Sequence, residues 1–203
     1  MRAGFNRRTA PKVREGRVQR QNRHVPTVHL GYVLDREAPG HGRHHVVTKR
    51  DLQASIQIIP DWDLLSERLE RIVLSKLEAA DGVYEFYHRE ETGAIFLCSW
   101  GDDLWVELDQ QYFLDHRMIL ERLGVSYDLG LETATCRFTE AQARAFMLLH
   151  VFMHELGHHV DRRGQKHLGA SRGEEYAERF ANSRFESLYP DFVRVFGDPA
   201  RSS

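Results

Sequence analysis

An α+β fold is predicted for this 203-residue chain, and three observations predict it. The run from Thr139 to Asp161 has helical composition, with apolar residues on nearly every face between Ala145 and Met153, as in a helix driven through a core. Residues 83–88, 94–100 and 104–108 are rich in aromatic and β-branched side chains and are separated by turn-forming residues. A second helical run covers residues 171–182. The expected architecture is a small, mainly antiparallel sheet packed on the buried helix, with the second helix beside it.

Taken in order, residues 1–24 carry Arg2, Arg7, Arg8, Lys12, Arg14, Arg17, Arg20 and Arg23 against Glu15 alone, a net +7 that leaves the rest of a −2 chain at −9. Few apolar residues accompany that charge, so a disordered tail is expected. Such a tail can bind nucleic acid or another polyanion, although folding back on the acidic body is the plainer reading. Residues 25–198 are expected to form one domain with a real core, and 199–203 a short C-terminal tail. Within the domain, residues 27–34 read as a strand and 35–45 as a loop marked by Pro39, Gly40 and Gly42, whose His41, His44 and His45 are expected to be flexible surface histidines. Residues 55–59 read as a strand ended by Pro60. Leu64, Leu65, Leu69, Ile72, Val73, Lys76 and Leu77 recur at helical spacing, which predicts an amphipathic helix over 61–80, stopped at Gly82. The three strand-like segments that follow suggest a β-meander, residues 110–123 another helix, and 132–138 a last strand leading into the buried helix.

Composition narrows the functional classes. A 41% hydrophobic and 29% charged chain is an ordinary globular protein. Cys98 and Cys136 lack ligand spacing, so neither a cysteine-type metal site nor a disulfide scaffold is indicated, and reduced core thiols are expected. No apolar run approaches 18 residues, and the arginine-rich N-terminus has no hydrophobic segment after it. Neither a membrane anchor nor a secretory signal is expected, which points to the cytoplasm.

Within the buried helix stands His154-Glu155-Leu156-Gly157-His158. Residues four apart share one helical face, with Cβ atoms about 5–6 Å apart, so two imidazole nitrogens can converge on one cation. Glu155, one position round, is poorly placed to join them but can take a proton from water activated there. Thr139 and Gln142 form a capping-box pattern at the start of the run. A helix so buried should not carry His154, Glu155 and His158 without partners, and a metal supplies them. His150 lies one turn earlier, too far along the axis to share an ion with His158, and reads as a hydrogen-bonded core or cleft histidine. His159 points elsewhere and reads as structural.

A catalytic zinc usually takes three protein ligands and leaves a fourth position for water. The extended pattern HExxHxxGxxH fails, because Asp161 and Gly164 occupy its last two key places. The third ligand should therefore come from the second helical run. Glu174, Ala177, Glu178 and Ala181 share one face there, and the two alanines permit close approach to the motif helix. Glu174 can then bind the metal while Glu178 accepts a hydrogen bond from a ligand imidazole. A second reading makes Glu174 the partner of Ser171 in a capping box, with Glu175 and Glu178 as solvated surface charges. Glu175, Glu178 and Asp161 remain alternative ligands, and Asp161 can instead support the ligands from the last helical turn.

His154-Glu-Leu-Gly-His158 followed by Glu174-x-x-Ala177-Glu178-x-Phe180-Ala181 resembles the gluzincin metallopeptidases. It is most similar to their compact intracellular versions, the minigluzincins and the ImmA/IrrE-like peptidases. The resemblance covers residues 144–188. It implies a zincin-like fold, a zinc ion held by His154, His158 and Glu174, Glu155 as general base, and Glu178 orienting a ligand histidine. Glutamate stands at position 178 where aspartate is commoner in the family. The resemblance implies a peptide or protein substrate but not its identity. Three functions compete at this stage: a zinc peptidase, a zincin-fold regulatory module that cleaves nothing or one partner, and a nucleic-acid-associated protein using the basic tail. No convincing helix-turn-helix spacing supports the third. Tyr127, His167, Tyr176 and several arginines are candidate oxyanion stabilisers without discriminating spacing.

Overall fold

The computed structural model describes residues 12–14, 17–19, 31–163 and 173–201. The chain divides into two units, Met1–Leu30 and Gly31–Ser203. In the first, β1 (Lys12–Arg14) and β2 (Arg17–Gln19) pair antiparallel with Val13 opposite Val18. The remainder of the basic segment, and residues 27–30 of the expected first strand, lie outside the described residues.

The second unit contains β3 (Val33–Arg36), β4 (Arg43–His44), α1 (Lys49–Gln57), α2 (Trp62–Leu65), β5 (Leu69–Glu78), β6 (Gly82–Tyr87), β7 (Thr92–Gly101), β8 (Trp105–Asp109), α3 (Gln110–Arg122), β9 (Ser126–Leu129) and β10 (Thr133–Arg137). A long helical rod follows: α4 (Glu140–Phe146), a π-helical segment (Met147–Val151) and α5 (Phe152–Arg163). Then come α6 (Gly173–Phe196) and a 3₁₀ turn (Pro199–Arg201). The mixture of helix and sheet agrees with the expected α+β class.

Several local expectations are corrected. The residues expected to form a helix over 61–80 instead give the four-residue α2 and then the ten-residue strand β5. Buried on both faces from Ile72 to Ser75, β5 loses the alternation that announces a half-exposed strand. Arg68 turns the chain between the two with φ of 64°. Conversely, Ser55 to Gln57, read as the start of a strand, end α1. There Thr48 and Asp51 form a reciprocal capping box, and Leu52, Ser55 and Ile56 face the core at helical spacing.

The larger sheet is mixed rather than mainly antiparallel. β3, β5 and β7 are parallel neighbours, with Ile72 opposite both Leu34 and Ile95. Along the other side of β7, β6 and the short β4 pair antiparallel. The expected meander is broken, because β8 leaves for a separate antiparallel sheet of order β8-β10-β9. β9 has no counterpart in the sequence reading.

The core gathers Leu52, Ile72, Ile95, Leu97 and Trp100 from the first half with Phe113 and Leu120 of α3. Leu148, Phe152 and Leu156 of the rod and Phe185 and Phe192 of α6 complete it, so the rod is buried as its sequence predicted. Thr139 caps the rod by accepting from the Gln142 N–H, and the Gln142 side chain accepts from the Thr139 N–H. Cys98 and Cys136 are buried free thiols, and burial pushes their ionisation up to about 12 and about 11. Among the described residues, no helix is long and apolar enough to cross a membrane.

Candidate metal centre

α5 and α6 meet with almost no space between their backbones. A Cβ placed on Gly157 would lie 2.9 Å from the Ala177 Cα and 3.2 Å from its carbonyl oxygen. Ala177 and Ala181 are fully buried along this contact. The glycine inside the HELGH sequence and the alanine three residues after Glu174 therefore fit one another. Their contact brings the carboxylate of one helix over the imidazoles of the next.

Three ligand atoms converge there. His154 Nε2 lies 3.1 Å from His158 Nε2 and 3.2 Å from Glu174 Oε2, and His158 Nε2 lies 3.4 Å from the same oxygen. Ligands about 2.0–2.1 Å from a tetrahedral zinc lie about 3.3 Å from one another, so these separations fit such an ion. The Glu174 side chain is 82% exposed, while each histidine is 19% exposed, which places the group at the surface and not inside the core. Ser171, the alternative capping partner of Glu174, lies outside the described residues.

Behind the imidazoles stands Glu178. Its Oε2 is 3.2 Å from His154 Nδ1, so that nitrogen donates to the carboxylate and Nε2 keeps its lone pair for the centre. Burial opposes ionisation of Glu178, but contacts from His116 and His154 outweigh it and hold the carboxyl well below the usual carboxylate range. For His154, burial alone would depress protonation, and the Glu178 hydrogen bond with nearby carboxylates raises it instead. Burial dominates at His158 and lowers its pKa, favouring the neutral imidazole that ligates metals.

Glu155 is only 5% exposed, and burial pushes its carboxyl up to about 8 against the opposing influence of His154. A divalent cation beside it would restore the ionised form that a base requires. Space for this side chain is made by Gly82 at the start of β6, where a Cβ would fall 2.6 Å from Glu155 Cγ and 2.9 Å from its Oε1. Gly82 does not stop a helix; it lets the strand pass over the glutamate. Further along β6, Tyr84 stacks on His158 at 6.5 Å between ring centroids, and Phe86 lies beneath the Arg162 guanidinium. Alternate residues of one strand thus follow successive turns of α5.

Asp161 is not among the converging ligand atoms. Buried at the end of α5, it accepts a 3.1 Å hydrogen bond from the Gly173 N–H and so anchors the start of the helix that carries Glu174. His159 is structural as expected: Nε2 donates to the Glu67 carbonyl at 2.9 Å, Nδ1 faces the Tyr84 hydroxyl at 3.3 Å, and burial lowers its pKa to about 4. His150 departs from expectation, since its buried Nδ1 finds no hydrogen-bond partner among the described residues and its Nε2 lies 4.0 Å from Glu178 Oε2. His44 and His45 are held rather than flexible. His44 lies between Asp102 and Glu140, and His45 Nε2 donates to the Glu37 carbonyl. Tyr127 gives its hydroxyl to Glu121, and His167 lies outside the described residues.

Sequence reasoning missed His116 and Tyr84. His116 did leave a signal, because it shares the apolar face of α3 with Phe113, Ile119 and Leu120. Tyr84 left none, since nothing in a strand's composition says which helix it will cover. No known family model matches the chain, and no curated protein or solved structure matches it either.

Proposed function

We propose that this chain is a zinc-dependent peptidase of the gluzincin kind, acting on a peptide or protein substrate. The observation that carries the reading is the convergence of His154 Nε2, His158 Nε2 and Glu174 Oε2 at 3.1–3.4 Å beside a buried glutamate. Two histidines and one carboxylate form a donor set suited to catalytic zinc, with a coordination position left for water. Bound there, zinc would polarise the scissile carbonyl and make water acidic enough to surrender a proton.

Glu155 accepts that proton and returns it to the departing amine. Gly82 and the strand above confine its carboxylate, so the base is aimed before substrate arrives. Glu178 keeps the His154 ring in the orientation that presents Nε2. Among the described residues, β6 pairs only with β7, which leaves its other edge able to receive an extended peptide by strand addition.

The test compares the cellular proteome in the presence of wild-type chain and of Glu155→Gln, reading new protein N-termini. Termini that appear only with the wild type, while both proteins hold equal zinc, are the expected result. Full zinc occupancy with no terminus dependent on Glu155 would favour a zincin-fold regulator that binds without cutting.

A further inference from the structure

We propose that His116 is a positioning residue for the metal centre, acting through Glu178 on His154; the proposal rests on the zinc reading above. Glu178 is gripped from several elements. Its Oε2 meets His154 Nδ1 at 3.2 Å, and its Oε1 accepts from Asn182 Nδ2 at 3.0 Å and faces His116 Nε2 at 3.4 Å. The other nitrogen of His116 donates to the Tyr112 backbone carbonyl at 2.7 Å, within α3 itself. Tyr112 also stacks on the His116 ring at 3.9 Å between centroids. The imidazole is therefore fixed at both nitrogens and across one face.

A carboxylate can support a ligand histidine only if it cannot swing away. Asn182 lies one turn along the same helix as Glu178 and moves with it. His116 is different, because it reaches Glu178 from α3. It connects the backbone of a third helix, through one carboxylate, to the ring of His154. Only 5% exposed, it lies on the packed side of α3, where water does not readily replace it. Both nitrogens face acceptors, and the contacts with Glu178 and Tyr112 outweigh burial and raise the pKa of His116. His150 Nε2 stands 4.0 Å from Glu178 Oε2, beyond hydrogen-bond reach, and does not supply that contact.

Two amide replacements separate positioning from general support of the core. In His116→Gln the amide nitrogen falls near the position of Nε2 and can still donate to Glu178. In His116→Asn it falls near Nδ1 and serves the Tyr112 carbonyl instead. Zinc affinity is read by competition with a chelator, the Co²⁺ absorption spectrum reports ligand geometry, and thermal melting monitors the fold. Loss of support to a ligand histidine typically costs about 10–100-fold in metal affinity. His116→Asn should show that loss and an altered Co²⁺ spectrum, with His116→Gln within a few-fold of wild type. Equal zinc affinity in all three proteins, or equal loss in both variants in step with melting temperature, overturns the proposal. So does a second zinc per wild-type chain that disappears with either variant, because His116, His150 and Glu178 would then form a metal site of their own. Failure of the wild type to take up any zinc is a separate outcome, and it overturns the underlying reading as well.

Discussion

Gly157→Ala should damage the candidate metal centre more than the fold. The new methyl group would begin 2.9 Å from the Ala177 Cα, 3.2 Å from its carbonyl oxygen and 3.2 Å from the Phe180 Cβ. Carbon atoms pack at about 3.5 Å or more, so about 0.6 Å must be recovered by separating α5 from α6 or turning one against the other. Metal–ligand distances tolerate only about 0.2 Å. Because His154 and His158 stand on one helix and Glu174 on the other, the separation falls directly on the ligand set. Overpacking costs about 1–3 kcal/mol, and replacing a helical glycine by alanine returns up to about 1 kcal/mol. The expected melting temperature of the metal-free protein is therefore lowered only modestly, while zinc affinity falls by on the order of 10-fold or more. Chelator competition and circular-dichroism melting measure the two quantities on the same samples. Zinc affinity equal to wild type would refute the reasoning, since it would mean that the Gly157–Ala177 contact does not set the position of Glu174.

Three further outcomes are expected. Gly82→Ala places a Cβ 2.6 Å from Glu155 Cγ and should displace the proposed base, lowering the proposed peptidase turnover by on the order of 100-fold with zinc content unchanged; parallel loss of zinc would contradict that assignment. Burial holds His159 near a pKa of about 4, whereas a histidine in an unfolded chain titrates near about 6.5, so its contribution is complete above that range and is lost as pH falls toward 4. His159→Gln, which keeps a donor for the Glu67 carbonyl, should flatten the decline of stability between pH 6.5 and 4 by up to about 1.4 kcal/mol per pH unit, measured by denaturant melts; an unchanged slope would contradict the assignment. Deleting residues 1–24 should leave zinc content unchanged and shift melting by less than about 2 °C, under about 1 kcal/mol for a chain of this size; a larger drop would show that the segment packs into the domain.

The half of the chain that carries the candidate metal centre was far more legible than the half before it, for physical reasons. The rod announced itself through the Thr139–Gln142 capping box, an unbroken set of helix formers and two histidines at a spacing that a helix turns into convergence. The approach of Glu174 to the two histidines was legible through Ala177 and Ala181, whose small side chains mark where α6 meets its neighbour. Leu69 to Leu77 misled because a strand buried on both faces resembles a short helical stripe. Its partners, β3 and β7, are remote in sequence and leave no local trace. The π-helical segment at Met147–Val151 was equally hidden. It inserts irregularity into a run whose composition favours a regular helix, and it lies where His150 turns toward Glu178. Gly82 was noticed for the wrong reason, since its role depends on Glu155 arriving from 73 positions later in the chain.

Zinc K-edge absorption spectroscopy of the full chain loaded with one equivalent of zinc tests the central claim most directly, because it reads the donor set itself. Two imidazole nitrogens and oxygen donors at about 2.0–2.1 Å, with no sulfur, are the expected first sphere. A spectrum without the two imidazoles, one containing sulfur, or a chain that releases its zinc on desalting would contradict the assignment of His154, His158 and Glu174.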